Sequence, residues 1–184
     1  MRVIAGAWKG RKLRTPSWEG LRPTSDKLRE TLFNVLAVRT PGARVLDGYA
    51  GTGAVGIEAL SRGADHVTFV ERDPRAIRLI EENLALCRAS EESPRRYTVL
   101  RADATGRLAL APEALTLVLL DPPYADTHLT DALVQVRPAL APDGLVVLEH
   151  AARTPVTPPA GWHVTRTLAS GDSMLTFLQP LDTP

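Results

Sequence analysis

Apolar residues recur along the chain with two alternating periods. Leu28, Leu32, Val35 and Leu36 stand at helical spacing, with Lys27, Glu30 and Asn34 elsewhere on the wheel and Thr24, Ser25 and Asp26 ahead of them as N-cap candidates. Pro41-Gly42 ends that helix. Val45-Leu46 then reads as a strand leading into a glycine loop, Ala54 to Arg62 as a helix, and Val67 to Val70 as a strand ending on Glu71. Pro74 suits the first turn of a helix running to about Cys87. Strands follow at Tyr97 to Leu100, Leu115 to Leu120 and Leu145 to Leu148, with a helix from Leu129 to Leu140 before the last. This alternation predicts an α/β fold, a mostly parallel, doubly wound sheet with helices on both faces. The two ends break the pattern. Trp162 to Leu168 and Met174 to Leu178, around Gly171-Asp172-Ser173, predict a closing antiparallel hairpin, and Arg2 to Ala5 with Arg11 to Arg14 predict a small N-terminal one turning at Trp8-Lys9-Gly10.

At 184 residues the chain has room for one domain and a small appendage. Its single cysteine, Cys87, excludes an intramolecular disulfide and a multi-thiolate zinc site, in keeping with a reducing cytosol. No apolar run is long enough to span a bilayer, and the first residues do not read as a signal peptide. A cytoplasmic protein with no membrane partner is expected. The four histidines, His66, His128, His150 and His163, show no ligand spacing, so no metal is expected. The net charge of +1 hides an asymmetry: residues 1–40 carry nine basic and three acidic side chains, leaving the rest acidic. A basic arm on an acidic body points to a polyanion on one side, although a solvated basic hairpin with no partner would look the same.

The glycine loop runs Asp47-Gly48-Tyr49-Ala50-Gly51-Thr52-Gly53-Ala54-Val55-Gly56, after a strand and into a helix. Gly51 and Gly53 permit a tight turn and close backbone approach, while Gly56 lets the helix pack on the sheet. Dinucleotide and S-adenosylmethionine sites share such loops. Glu71 ends the next strand, where a carboxylate can accept both hydroxyls of an adenosine ribose. Asp47, ahead of the glycines, would lie near the ammonium of a methionine moiety and would repel a pyrophosphate, which favours S-adenosylmethionine over NAD. Asp103, after the third strand, is placed either to meet the adenine amine or to cap a short helix after Ala102.

The buried strand Leu115 to Leu120 runs straight into Asp121-Pro122-Pro123-Tyr124. In an open α/β sheet ligands sit beyond the carboxyl ends of the strands, which sets this loop beside the glycine loop. Its chemistry suits methylation of a planar amine, whose delocalised lone pair is a poor nucleophile. The Asp121 carboxylate and the Pro122 carbonyl can accept hydrogen bonds from the NH₂ and aim its lone pair, and Tyr124 can stack on the base.

With both loops in place the chain resembles the bacterial RsmD family, the 16S rRNA guanine(966)-N2 methyltransferases. The likeness runs through Arg2-Val3-Ile4-Ala5-Gly6, Gly10-Arg11-Lys12-Leu13, Leu21 to Asp26, Arg29 to Asn34, Gly56 to Ala64 and the Asp-Pro-Pro-Tyr loop. The resemblance implies a seven-stranded class I methyltransferase sheet (24–184) behind a basic RNA-contacting extension (1–23), acting as a monomer. Its substrate would be 16S rRNA within the small ribosomal subunit or an assembly intermediate. Asp47, Gly51 and Gly53 would shape the methionine side of the cofactor site, Glu71 would hold the ribose and Asp103 the adenine. Asp121, Pro122 and Tyr124 would receive the guanine. Arg22 and Thr24 fall where such enzymes close over the methionine carboxylate, with phosphate contact and helix capping as their other readings. Lys9, Arg11, Lys12 and Arg14 would meet RNA. The sequence departs from the family at Gly48-Tyr49, where Leu-Phe is usual, and the extra glycine is expected to loosen the loop.

The nearest rival is another amino-methyltransferase, acting on adenine in DNA or RNA or on a protein glutamine amide. Such enzymes more often place Asn where Asp121 stands. An NAD-dependent oxidoreductase would need a second domain for which there is no length, and an RNA-binding module with a dead cofactor site would not need both loops intact.

Overall fold

The computed structural model describes residues 1–18, 24–89, 95–122, 129–154 and 156–181. In chain order the elements are α1 (Asp26–Val35), β1 (Arg44–Gly48), α2 (Ala54–Ser61), β2 (His66–Glu71), α3 (Pro74–Leu86), β3 (Tyr97–Arg101), β4 (Leu115–Leu120), α4 (Leu129–Val136), a 3₁₀ turn (Arg137–Ala139), β5 (Leu140–Ala151), β6 (Trp162–Ser170) and β7 (Ser173–Pro180). The seven strands lie in the order β3-β2-β1-β4-β5-β7-β6. β1 to β5 are parallel neighbours, and β7 enters antiparallel between β5 and β6. Strand order reverses between β1 and β4, so a crevice opens at their carboxyl ends.

Local chemistry accounts for the helix boundaries. Ser25 caps α1 by accepting from the Leu28 N–H at 3.1 Å, and Asp73 caps α3 by accepting from the Arg75 N–H at 2.8 Å, with Pro74 in the first turn. α4 is shorter than its apolar pattern suggested. Pro138 lacks the N–H that another helical turn needs, so the chain tightens into 3₁₀ geometry and Leu140 already belongs to β5.

The sheet has an apolar core on each face. Val45, Phe69, Leu117, Leu119, Val147 and Phe177 meet α1, α2, α3 and the N-terminal arm, while Leu46, Val118, Leu120, Val146, Leu148 and Leu178 meet α4. Gly56 is required by the first layer: a Cβ there would stand 2.3 Å from the Phe69 ring. The arm does not form the two strands expected of it. Arg2 and Lys12 make one antiparallel bridge, because the chain turns into the domain on either side of it. Ile4 and Ala5 donate their N–H groups to the Glu58 carboxylate at 2.8 and 3.0 Å, Ala7 donates to the Ser61 carbonyl at 2.8 Å, and Trp8 donates to Ser61 Oγ at 3.0 Å. Val3, Trp8 and Leu13 are buried in the same core as Leu28, Phe33 and Ile57.

Candidate active site

The site begins at the carboxyl end of β1. Asp47 is buried and accepts from the Gly56 N–H at 2.8 Å, which ties the strand end to the first turn of α2. Between them Gly51 and Gly53 take φ of 56° and 74°, left-handed values that favour glycine. Gly48 does not loosen this loop. It is paired within β1 to Val70 and Leu120, and a Cβ there would meet the Leu120 side chain at 2.8 Å. The strain falls instead on Tyr49, held at φ 78°.

Glu71 reaches back from the end of β2. Its Oε2 accepts from the Gly51 N–H at 2.9 Å, and its Oε1 from the N–H groups of Arg72 and Asp73 at 2.7 and 2.9 Å. It therefore fixes the glycine loop to the neighbouring strand while sitting half-buried at the crevice rim. Asp103 follows β3 and closes a turn, accepting from the Thr105 N–H and hydroxyl at 2.9 and 2.7 Å; no helix follows Ala102. Those bonds, helped by Arg72 at 3.2 Å, hold its carboxyl below the ordinary value.

β4 ends beside β1, and its last residue leads into Asp121 and buried Pro122. The Thr24 hydroxyl donates to Asp121 Oδ2 at 3.2 Å, so the segment entering α1 closes over this acid. Burial raises Asp121 to about 6 and Asp47 to about 7; for Asp47 the nearby charges of Asp121 and Glu71 add to the rise, against the bond from Gly56. Thr24, Asp47 and Asp121 line one cleft together with Leu32, Val55 and Leu119. The same cleft is lined by Glu149, a buried acid two residues before the end of β5 that the sequence reading did not single out. Its signal was the one that marked Asp121, a carboxylate ending a buried apolar run, but with no motif around it. Arg22, Pro123, Tyr124 and His128 lie outside the described residues. Among the described residues no group of three or more His, Cys, Asp or Glu is placed to hold a metal ion.

The four arm cations expected to meet RNA separate into two kinds. Lys9 and Lys12 are exposed. Arg11 stacks 5.9 Å from the Trp8 ring centroid and donates to the Cys87 carbonyl, and Arg14 pairs with Glu82 at 2.7 Å while its N–H donates to Asn83 Oδ1. Arg11 and Arg14 thus fasten the arm to α3 and the turn that ends it.

Known proteins are similar to this chain in sequence and fold. The family described as Conserved hypothetical protein 95 matches residues 1–179. The Escherichia coli protein named Ribosomal RNA small subunit methyltransferase D is 37% identical over 174 residues, covering 93% of this chain and 85% of its own length. The protein of that name from Haemophilus influenzae is 35% identical over 173 residues, covering 93% and 89%. Among solved structures, Escherichia coli yhhF superposes with a TM-score of 0.85 at 32% identity, covering 100% of this chain and 99% of that one. The parallel sheet with its antiparallel closing strands, the crevice at the β1–β4 reversal and these likenesses agree: the chain belongs to the RsmD family of class I methyltransferases.

Proposed function

We propose that this protein transfers a methyl group from S-adenosylmethionine to the exocyclic N2 of a guanine in 16S rRNA. By family resemblance the nucleotide is position 966, in the small ribosomal subunit or an assembly intermediate in the cytoplasm, and the enzyme acts as a monomer. The observation that carries the reading is that Asp47 and Asp121 line one cleft at the β1–β4 reversal, two acids whose charged forms burial penalises and a bound cation would favour.

S-adenosylmethionine fits the residues present. An acidic, partly desolvated cleft suits a ligand carrying an ammonium and a sulfonium, and the Gly51–Gly53 turn lets backbone approach a ligand closely. Asp47 would hold the ammonium, Glu71 the ribose and Asp103 the adenine, with Arg22 and Thr24 over the carboxylate. When bound, the cofactor supplies a methyl group activated by the positive sulfur. Asp121 and the Pro122 carbonyl accept hydrogen bonds from the guanine amine and orient its lone pair, and Tyr124 stacks on the base after it leaves its helix. A carboxylate raised to about 6 is also suited to take the proton the amine sheds. Lys9, Lys12, Arg11 and Arg14 form the RNA-facing side, the first two as direct phosphate contacts.

The test is transfer of labelled methyl to naked 16S rRNA, partly assembled small subunits and complete ones, with the product nucleoside identified by mass spectrometry. N2-methylguanosine in at least one of the three is expected. Absence of label in all three removes the proposal, and label on an adenine redirects it to another amino-methyltransferase.

A further inference from the structure

Resting on the guanine reading above, one question is left by the Asp-Pro-Pro-Tyr loop itself. Guanine and adenine both carry an exocyclic amine, and a carboxylate with a neighbouring carbonyl can hold either. The two bases differ at N1: guanine presents an N–H donor there and adenine a lone pair. Selection between them needs a group beside Asp121 that accepts hydrogen bonds and donates none.

Glu149 has that position. The parallel register pairs Leu120, the last residue of β4, with Leu148 of β5 on strands about 4.8 Å apart, so Asp121 leaves β4 at the level where Glu149 continues β5. Asp47 pairs with Leu119 and Leu119 with Val147. Side chains two apart share a face, so Asp47, Asp121 and Glu149 all belong to the α1 side of the sheet. All three line one cleft. The Glu149 side chain is held from β7, where the Ser173 hydroxyl donates to Oε1 at 3.0 Å. A buried carboxylate is costly where packing alone is at stake, and Val147, two residues earlier on the same face, shows that an apolar residue fits this layer.

We infer that Glu149 is a base-selecting residue, its carboxylate accepting the guanine N1–H while Asp121 accepts from the amine. An adenine in the same pose would aim its N1 lone pair at the lone pairs of the carboxylate oxygen. The loop then supplies the methylation geometry, and β5 supplies the choice of base.

The test uses small subunits assembled on 16S rRNA with one replacement at the methylated nucleotide. 2-Aminopurine and 2,6-diaminopurine both keep the 2-amine but carry a lone pair at N1, and they differ from each other at position 6. With the wild-type protein both should show kcat/KM roughly 10- to 100-fold below guanine, the size of one lost base-edge contact. Glu149→Gln keeps the acceptor for Ser173 and adds an amide N–H that can donate to a bare N1. It should lose activity on guanine and bring the guanine-to-analogue ratio close to one, with S-adenosylmethionine affinity within about twofold. Equal losses on all three substrates would make Glu149 a packing residue and overturn the inference. So would a wild-type protein indifferent to the analogues, a measurement that needs no variant to fold. If the wild-type protein puts no N2-methyl on unmodified subunits, the guanine reading fails and takes this inference with it; methylation without discrimination defeats this inference alone.

Discussion

Asp47 and Asp121 are carboxylates held well above their ordinary value of 3.8, at about 7 and about 6, because burial penalises their charged forms. The sign of the consequence for stability follows from proton counting. Between about pH 4 and 7 the folded protein holds protons on these acids that the unfolded chain has released, so their contribution is favourable at low pH and is lost as pH rises toward 7. A bound cation reverses the preference, since it favours the ionised acids. Affinity for S-adenosylmethionine should therefore rise by about tenfold or more from pH 5.5 to pH 8 and flatten above 7, with protons released on binding near pH 6. Calorimetry in buffers of different ionisation enthalpy reads both quantities, and a flat profile would contradict the assignment of Asp47. Asp121 answers to a different measurement. Asp121→Ala should abolish methyl transfer and leave cofactor affinity within a few-fold, and near-normal turnover in that variant would remove Asp121 from the reaction. The positions of Asp47, Glu71 and Asp121 near the crevice were legible in the sequence because each stands at or next to the carboxyl end of an apolar strand, beside a recognisable loop. Glu149 follows an apolar run too, but only the β4–β5 register brings it level with Asp121.

At the scale of elements, α2 connects two parts of the molecule. Its first turn presents the Gly56 N–H to Asp47, and its last turns present Glu58 and Ser61 to the arm. Glu58 is fully buried and also accepts from Arg62 Nε at 2.7 Å. Removing a buried carboxylate with three donors leaves them unsatisfied, so Glu58→Ala should cost about 3 kcal/mol and expose the Ile4 and Ala5 amides to hydrogen exchange. Composition shows that the arm is basic, but not which cations are spent on the fold. Reversing Lys9 and Lys12 to Glu should weaken binding to the small subunit and lower its salt slope by roughly one unit per lost phosphate contact, with no change in melting temperature. Reversing Arg11 and Arg14 should lower the melting temperature as well, because those side chains hold Cys87 and Glu82. Equal melting temperatures for the two double variants would contradict this division. The length of β5 was hidden for a related reason: Leu140 pairs with Leu115 ahead of an irregularity, and regular pairing resumes only at Leu145.

For the whole molecule, a basic extension and a methyltransferase sheet are a proposed division of function, while packing joins them into one folding unit. Val3, Trp8 and Leu13 enter the core that also holds Leu28, Phe33 and Ile57, and burying each stabilises the fold by about 1.5 to 3 kcal/mol. Such a sum is comparable to the entire net stability of a domain, so the arm cannot detach without endangering the sheet. Arg29 of α1 tightens the link: it is fully buried, pairs with Asp26 at 2.6 Å and donates to the Arg2 carbonyl at 2.8 Å, which makes it a structural fastener between α1 and the arm. Urea unfolding should therefore show one transition, with the fluorescence of a variant that keeps Trp8 as its sole tryptophan and far-ultraviolet circular dichroism changing together. A chain lacking residues 1–15 should lose most of its stability rather than yield an intact methyltransferase domain with weakened RNA binding. Recovery of a folded truncated protein that binds S-adenosylmethionine normally would show that the arm is a separable RNA-binding appendage, and that its three buried side chains contribute far less than their burial implies.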